Sequence, residues 1–310
     1  MNPAFSVILF TSIAGAAQGI VVTLAVASLL GQSPSAGFQS LAIGASLLML
    51  IIGLGASFLH LGRPERAWRA VLMWRTSWLS REVIVLPAFI TLVALWWLAT
   101  PQSTGMVTGK VLPVLILIGA ALLWFCTAMI YACLRFIQEW AHPLTVLNYT
   151  LIGLASGLVL LSAAAALAGE AGFLDAISPW AVMATIAAAI SRSLSLRRNA
   201  ALKPASTLQS ATGIRSERLV QTSMGMSAGA FNTKEFFHGK KLSALRQVKT
   251  FFMICCFIVP LVAMLWGINS NSPVPWLIAV ASHIPGIIAE RWFFFAQARH
   301  PQNLYYQVVS

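Results

Sequence analysis

Eight long apolar stretches, each near the length of a bilayer crossing, constrain this chain more than any other feature. A membrane-spanning helix needs roughly 20 predominantly apolar residues. The sequence supplies such runs at about 5–30, 37–59, 83–99, 112–134, 144–168, 174–191, 247–269 and 273–296, the third and sixth being the shortest. In hydrocarbon, backbone N–H and C=O groups must be paired inside the protein, which favours helices. The expected fold is therefore all-α, an integral membrane bundle of eight transmembrane helices forming one membrane domain over 1–310. Composition agrees, with 58% hydrophobic residues, 9% charged residues and a mean hydropathy of +0.81. A soluble domain of this size would need more charge to cover its surface. Trp96, Trp97 and Trp292 suit the interfacial role of tryptophan. The N-terminus, Met1-Asn2-Pro3-Ala4-Phe5, has no basic region, and the run after it is long for a signal peptide. It is expected to remain as the first helix.

The connections differ sharply in charge. Of the 20 lysines and arginines, all but Lys110 fall in the even-numbered connections or near the C-terminal end. With eight helices, the even connections and both termini share one side. The positive-inside rule assigns that side to the cytoplasm. The +12 net charge is thus read as topology, with the lipid bilayer as first partner and no nucleic acid. The sixth connection, about 192–246, is too long and polar to be a simple turn. Its mixture of aromatic and charged residues, with Asn232, Glu235, Phe236, Phe237 and His238 close together, suggests a docking surface. A solvated basic face is the plainer alternative.

The chemistry concentrates between His60 and Glu82. His60-Leu61-Gly62-Arg63-Pro64-Glu65-Arg66 closes one apolar run, and Leu79-Ser80-Arg81-Glu82 opens the next. Ionisable groups at a membrane boundary are costly and are functional candidates for that reason. A His and a carboxylate held there can exchange the two protons of quinone chemistry. Arg63 and Arg81 are placed to orient Glu82. Arg66 and Arg69 suit lipid headgroups or a docked partner. The local alternative is that His60 caps a helix while Glu82 pairs with Arg81 or Arg63.

Other ionisable groups carry weaker signals. His283 and Glu290 share a face of the last run, seven residues apart. Arg291 can neutralise Glu290, and His283 is a second proton carrier, a haem b ligand or a packed polar group. Only His60 with His283 is a candidate haem pair. Arg135 and Glu139 are spaced as an i,i+4 helical pair, and Tyr131 lies in reach of a headgroup or quinone. Cys126, Cys133, Cys255 and Cys256 lack C-x-x-C or iron–sulfur spacing, so no metal site is expected in this chain.

The His60-Leu-Gly-Arg-Pro-Glu-Arg-Ala segment, Leu79-Ser80-Arg81-Glu82, Glu290-Arg291-Trp292-Phe293-Phe294-Phe295 and Leu304-Tyr305-Tyr306 together resemble the membrane anchor subunits of the dimethyl sulfoxide reductase family. The resemblance covers essentially the whole chain. It implies a non-catalytic anchor that carries a quinone site, with His60 and Glu82 in the family's quinol-site positions. It also implies partners: an iron–sulfur electron-transfer subunit and a molybdenum bis-pterin catalytic subunit, which hold the metal cofactors. The segment Asn232-Thr233-Lys234-Glu235-Phe236-Phe237-His238-Gly239 looks like the branch that serves cytoplasmic sulfite dehydrogenases, the sulfite:quinone oxidoreductases.

The expected function is a quinone-binding anchor in the inner (cytoplasmic) membrane, with its partners on the cytoplasmic face. It would pass electrons from sulfite oxidation to ubiquinone or menaquinone. The alternatives are an anchor for a quinol-oxidising sulfoxide reductase, a transporter, and a purely structural anchor.

Overall fold

In a computed structural model of the chain, the described residues are 4–59, 61–100, 107–203, 205, 207–219, 242–270 and 272–299. Among them, eight helical segments are long and apolar enough to cross a membrane. The first six are α1 (Phe5–Leu29), α2 (Ala36–Phe58), α3 (Trp78–Ala99), α4 (Leu112–Ala132), α5 (Pro143–Ala168) and α6 (Ala171–Ala200). A short α7 (Leu208–Thr212) lies in the sixth connection. The seventh span joins α8 (Leu242–Met253) to α9 (Val259–Ile268) through a π-helical turn at Ile254–Ile258. The eighth is α10 (Val274–Ala296).

The helices start and stop where local chemistry directs. Ser35 and Ser77 cap α2 and α3 by accepting from the backbone N–H of Phe38 and Ser80. A serine hydroxyl there satisfies one of the donors a helix start leaves open. Gly169 ends α5 at φ +72°, a left-handed conformation that glycine adopts without a Cβ penalty. It turns the chain into α6 within two residues.

The centre of the bundle is the contact of α1 with α5, and small residues make it. Gly15 and Gly19 on α1 face Gly153 and Gly157 on α5, each pair four residues apart. A Cβ on Gly157 would collide with the backbone of Gly19 and Ile20, and one on Gly19 would collide with the Gly153 carbonyl. Between helices in lipid there is no hydrophobic drive, so backbone approach through such positions supplies the van der Waals contact. Gly286 does the same for α10, where a Cβ would strike the backbone of Cys255 and Cys256 in the π-helical turn.

Two helices depart from their expected bounds. The third span starts at Trp78, so Glu82 lies inside its second turn rather than at its edge. The sixth continues to Ala200, so residues 192–200, expected as the start of the long connection, are helical and Arg192 is buried. The stretch after Ala132 is irregular up to His142, which removes the helical i,i+4 relation expected of Arg135 and Glu139. Glu139 instead accepts the backbone N–H of Arg299 at 3.4 Å.

Candidate functional site

Glu82 and Glu290 are the two buried carboxyl groups among the described residues, at 5% and 1% exposure. Their surroundings differ. Ser77 caps α3 and sets its register, and α4 packs alongside, with the Trp78 and Phe125 rings edge to face at 5.3 Å. That packing brings the Thr127 hydroxyl onto Glu82, where it donates to Oε1. Among the described residues, no cation pairs with Glu82. Either a carboxylate or a carboxylic acid can accept the Thr127 hydrogen bond, so the site tolerates a proton on Glu82 and its loss.

Arg81 does not turn toward Glu82. Its Nε donates to the Trp74 carbonyl and its Nη2 to the Arg75 carbonyl, both at 2.9 Å, while the guanidinium lies 4.0 Å from the Trp78 ring centroid. It ties the second connection to the start of α3. Ser80 is buried, and its backbone N–H goes to the Ser77 cap. Arg63 is exposed at the start of a 3₁₀ helix, Pro64–Met73, in which no residue is buried. This segment displays Trp68, Leu72, Met73 and Trp74 beside Arg66 and Arg69. Arg69 and Arg75 stack on Trp68 and Trp74, at 5.5 and 5.4 Å. His60, Asn232, Glu235, Phe236, Phe237 and His238 lie outside the described residues.

His283 belongs to a separate polar group. Its Nδ1 is 3.0 Å from the Cys256 carbonyl and its Nε2 is 2.8 Å from Ser156 Oγ. A carbonyl only accepts, so Nδ1 carries the hydrogen. The carbonyl needs that donor because Pro260, four residues on, has no N–H to offer. Gly286 lets α10 approach closely enough to supply it. With both ring nitrogens engaged by the protein, His283 does not fit an axial haem ligand, and none of its bonds reaches Glu82.

Glu290 sits in an ion cluster that sequence reasoning found only in part. Arg291 approaches its Oε2 at 3.3 Å, as expected. The nearer partner is Arg192 on α6, with Nε 2.7 Å from Oε1. Both arginines are 1% exposed. Arg192 is flanked by the Phe252 and Phe293 rings, and Arg291 lies 4.1 Å from the Tyr149 ring centroid. Beside the cluster, Tyr131 is half-buried and packs against Trp140, Tyr149, Phe294 and Phe295 in an aromatic group.

A small cavity of about 10 Å³ separates the two carboxyl sites. Its lining includes Thr11, Gln18, Trp124, Thr127, Tyr149 and Arg291. Thr127 and Gln18 had no sequence signal, since a polar residue in an apolar helix most often bonds its own backbone. Arg192 was hidden by its place after the last apolar residue of its run.

Comparison with known proteins agrees with this architecture. Residues 1–297 match the family described as DMSO reductase anchor subunit (DmsC). The chain is 45% identical to a sulfite dehydrogenase subunit of Allochromatium vinosum, with all of both chains covered. It is 29% identical to a chain of an anaerobic dimethyl sulfoxide reductase of Escherichia coli, over 48% of this chain and 52% of that one. Eight apolar helices and a family match over nearly the full length lead to one conclusion: this chain belongs to the DMSO reductase anchor subunit family.

Proposed function

We propose that the chain is the quinone-binding anchor of a molybdenum and iron–sulfur oxidoreductase, and that it passes electrons from sulfite oxidation to the quinone pool. The observation that carries this reading is Glu82: a buried carboxyl group in the first turns of a membrane helix, held, among the described residues, by a hydroxyl rather than a cation. Beside it runs a connection rich in exposed arginine and tryptophan. Quinone reduction consumes two electrons and two protons. In this reading the electrons arrive from iron–sulfur clusters of a partner subunit, and Glu82 with His60 hands protons to the quinone oxygens. Ubiquinone and menaquinone share this chemistry. Ser80, Arg63 and Arg81 shape the entrance, and His283 stiffens α10 from below.

The partner surface is the Pro64–Met73 face with Arg66 and Arg69. Exposed Trp and Arg together are typical of binding surfaces. The segment 232–238 is a further docking candidate by its sequence. The full-length likeness to a sulfite dehydrogenase subunit favours sulfite as electron source, and the basic connections favour a cytoplasmic docking face. The shorter likeness to a sulfoxide reductase chain favours the opposite flow, from quinol to clusters.

The test is substitution of Glu82→Gln and His60→Ala in the assembled complex. Quinone-linked turnover is expected to disappear while dye-linked activity of the catalytic subunit persists. Unchanged quinone turnover in both variants overturns the reading. Cysteine labelling of the 61–77 connection in intact and lysed cells separates the two directions. Labelling only after lysis supports the cytoplasmic sulfite complex, and labelling of intact cells supports an exported reductase.

A further inference from the structure

The Arg192–Glu290–Arg291 cluster is out of balance. Two guanidinium groups face one carboxylate, all 1% exposed, which leaves one surplus positive charge inside the bundle. Buried charge is tolerated when it is paired. The other buried carboxyl group among the described residues is Glu82, and the cavity lies between it and Arg291.

The lining of that cavity is chemically incomplete. Gln18 Oε1, Trp124 Nε1 and Arg291 Nε are buried without a hydrogen-bond partner. The other end of Gln18 is fixed, since its Nε2 donates to the Ala14 carbonyl at 3.1 Å. Thr127 donates its hydrogen to Glu82, so its oxygen lone pairs remain to accept. The Thr11 hydrogen is committed to the Val7 carbonyl at 2.9 Å, so its oxygen, like that of Thr127, can only accept from the cavity. The groups of fixed role are therefore two donors, Trp124 Nε1–H and Arg291 Nε–H, and three acceptors, Gln18 Oε1, Thr127 Oγ1 and Thr11 Oγ1, of which Gln18 Oε1 has no hydrogen bond of its own. One water molecule has two hydrogens and two lone pairs, enough to pair both donors together with Gln18 Oε1 and Thr127 Oγ1, and about 10 Å³ is the room one water needs.

We propose that this cavity is the binding site of one structural water that links Glu82 to the arginine cluster. The inference rests on the quinone reading of Glu82. Arg291 donates to the water, the water donates to Thr127, and Thr127 donates to Glu82. Every bond in that chain points toward the carboxyl group, so it stabilises the carboxylate left after Glu82 gives its proton to the quinone oxygen. The surplus charge on the cluster is the counter-charge of that carboxylate. Gln18 and Trp124 are positioning residues that hold the water and touch neither Glu82 nor the quinone.

The experiment uses the complex purified through this chain. A cryo-electron microscopy map of the wild type is expected to show a solvent peak bounded by Gln18, Trp124, Thr127 and Arg291. An empty cavity overturns the proposal. Gln18→Leu should abolish the peak, lower quinone-linked turnover about tenfold or more and raise its solvent deuterium isotope effect. Dye-linked activity should be unchanged. Trp124→Phe removes the second contact and should act in the same direction if Gln18→Leu fails to assemble. Wild-type turnover and isotope effect in an assembled Gln18→Leu variant overturn the water link. If Glu82→Gln is inactive in the same assay, the quinone reading stands and the link alone fails. If Glu82→Gln is fully active, the quinone reading itself fails.

Discussion

Glu82 and Glu290 are the same residue type, both buried, both near one end of the bundle, and they are held in opposite ways. Glu290 has two guanidinium partners and Glu82 has a hydroxyl. Neutralising Glu290 would strand two buried cations. Neutralising Glu82 breaks no ion pair among the described residues. The difference shows what separates a structural buried charge from one free to take part in chemistry. Burial is common to both, and the partner decides.

The comparison breaks most sharply by exchanging each carboxylate for its neutral amide. Glu290→Gln should destabilise the protein by about 3–5 kcal/mol, because it leaves buried charge uncompensated. The expected readout is loss of the chain from the membrane fraction. Glu82→Gln should leave its level unchanged and lower quinone-linked turnover by about 10²–10⁴. A Glu290→Gln variant that accumulates normally and loses only turnover would invert the two roles.

A smaller effect sharpens the structural half. Replacing Arg192 and Glu290 together by methionine removes the nearer ion pair and leaves Arg291 as one stranded cation, against two in Glu290→Gln. Less buried charge is then uncompensated, so the double variant should accumulate above Glu290→Gln in quantitative membrane blots. Equal loss in both would mean that the charges act independently.

Smaller again is Thr127→Val, which keeps the side-chain shape and deletes the hydroxyl. A hydrogen bond to a charged group contributes about 1.5–3 kcal/mol. Quinone-linked turnover should therefore fall roughly ten- to 150-fold. Thr127→Ser should restore most of it. Equal turnover in the Val and Ser variants would show that the hydroxyl is idle.

The smallest effect concerns a group outside the membrane. His142 caps α5 by accepting the Leu144 N–H on Nδ1, which requires the neutral ring. Burial, and next the nearby Arg198, hold its pKa below the ordinary 6.5. A histidine with a depressed folded pKa binds fewer protons folded than unfolded. Its contribution is thus complete above pH 6.5 and declines as pH falls below that value. Melting of the detergent-solubilised protein should show a slight acid-side loss that His142→Asn, also a capping residue, removes. An identical acid-side slope in the variant would exclude His142 as its source.

Much of the fold is legible in the sequence because hydrocarbon imposes a length. All eight apolar runs become helices long and apolar enough to span, with most ends within a few residues. The sixth misleads because hydropathy stops at Ser191 while the backbone hydrogen bonds do not. Once a helix is packed by neighbours, polar residues extend it, and Arg192 enters the bundle. The site is legible in part. Glu82 is conspicuous as charge at a membrane edge, and Arg291 as the neighbour of Glu290. Arg192 and Thr127 are not, because the contacts that give them meaning, to Glu290 and Glu82, join distant parts of the chain. Arg81 is misread for a related reason, since nearness in sequence to Glu82 does not set the direction of its side chain.

The length of α6 has a mechanical consequence. Thirty residues of α-helix extend about 45 Å, against a hydrocarbon core of about 30 Å. The last turns of α6, carrying Arg192, Arg197 and Arg198 past the apolar run, are braced where both terminal nitrogens of Arg198 donate to the Gln138 carbonyl at 3.1 Å. The long connection therefore starts from a braced helix end. Electron tunnelling falls steeply with distance, so in the quinone-anchor reading proposed above this run of helix would act as a spacer for a docked redox centre.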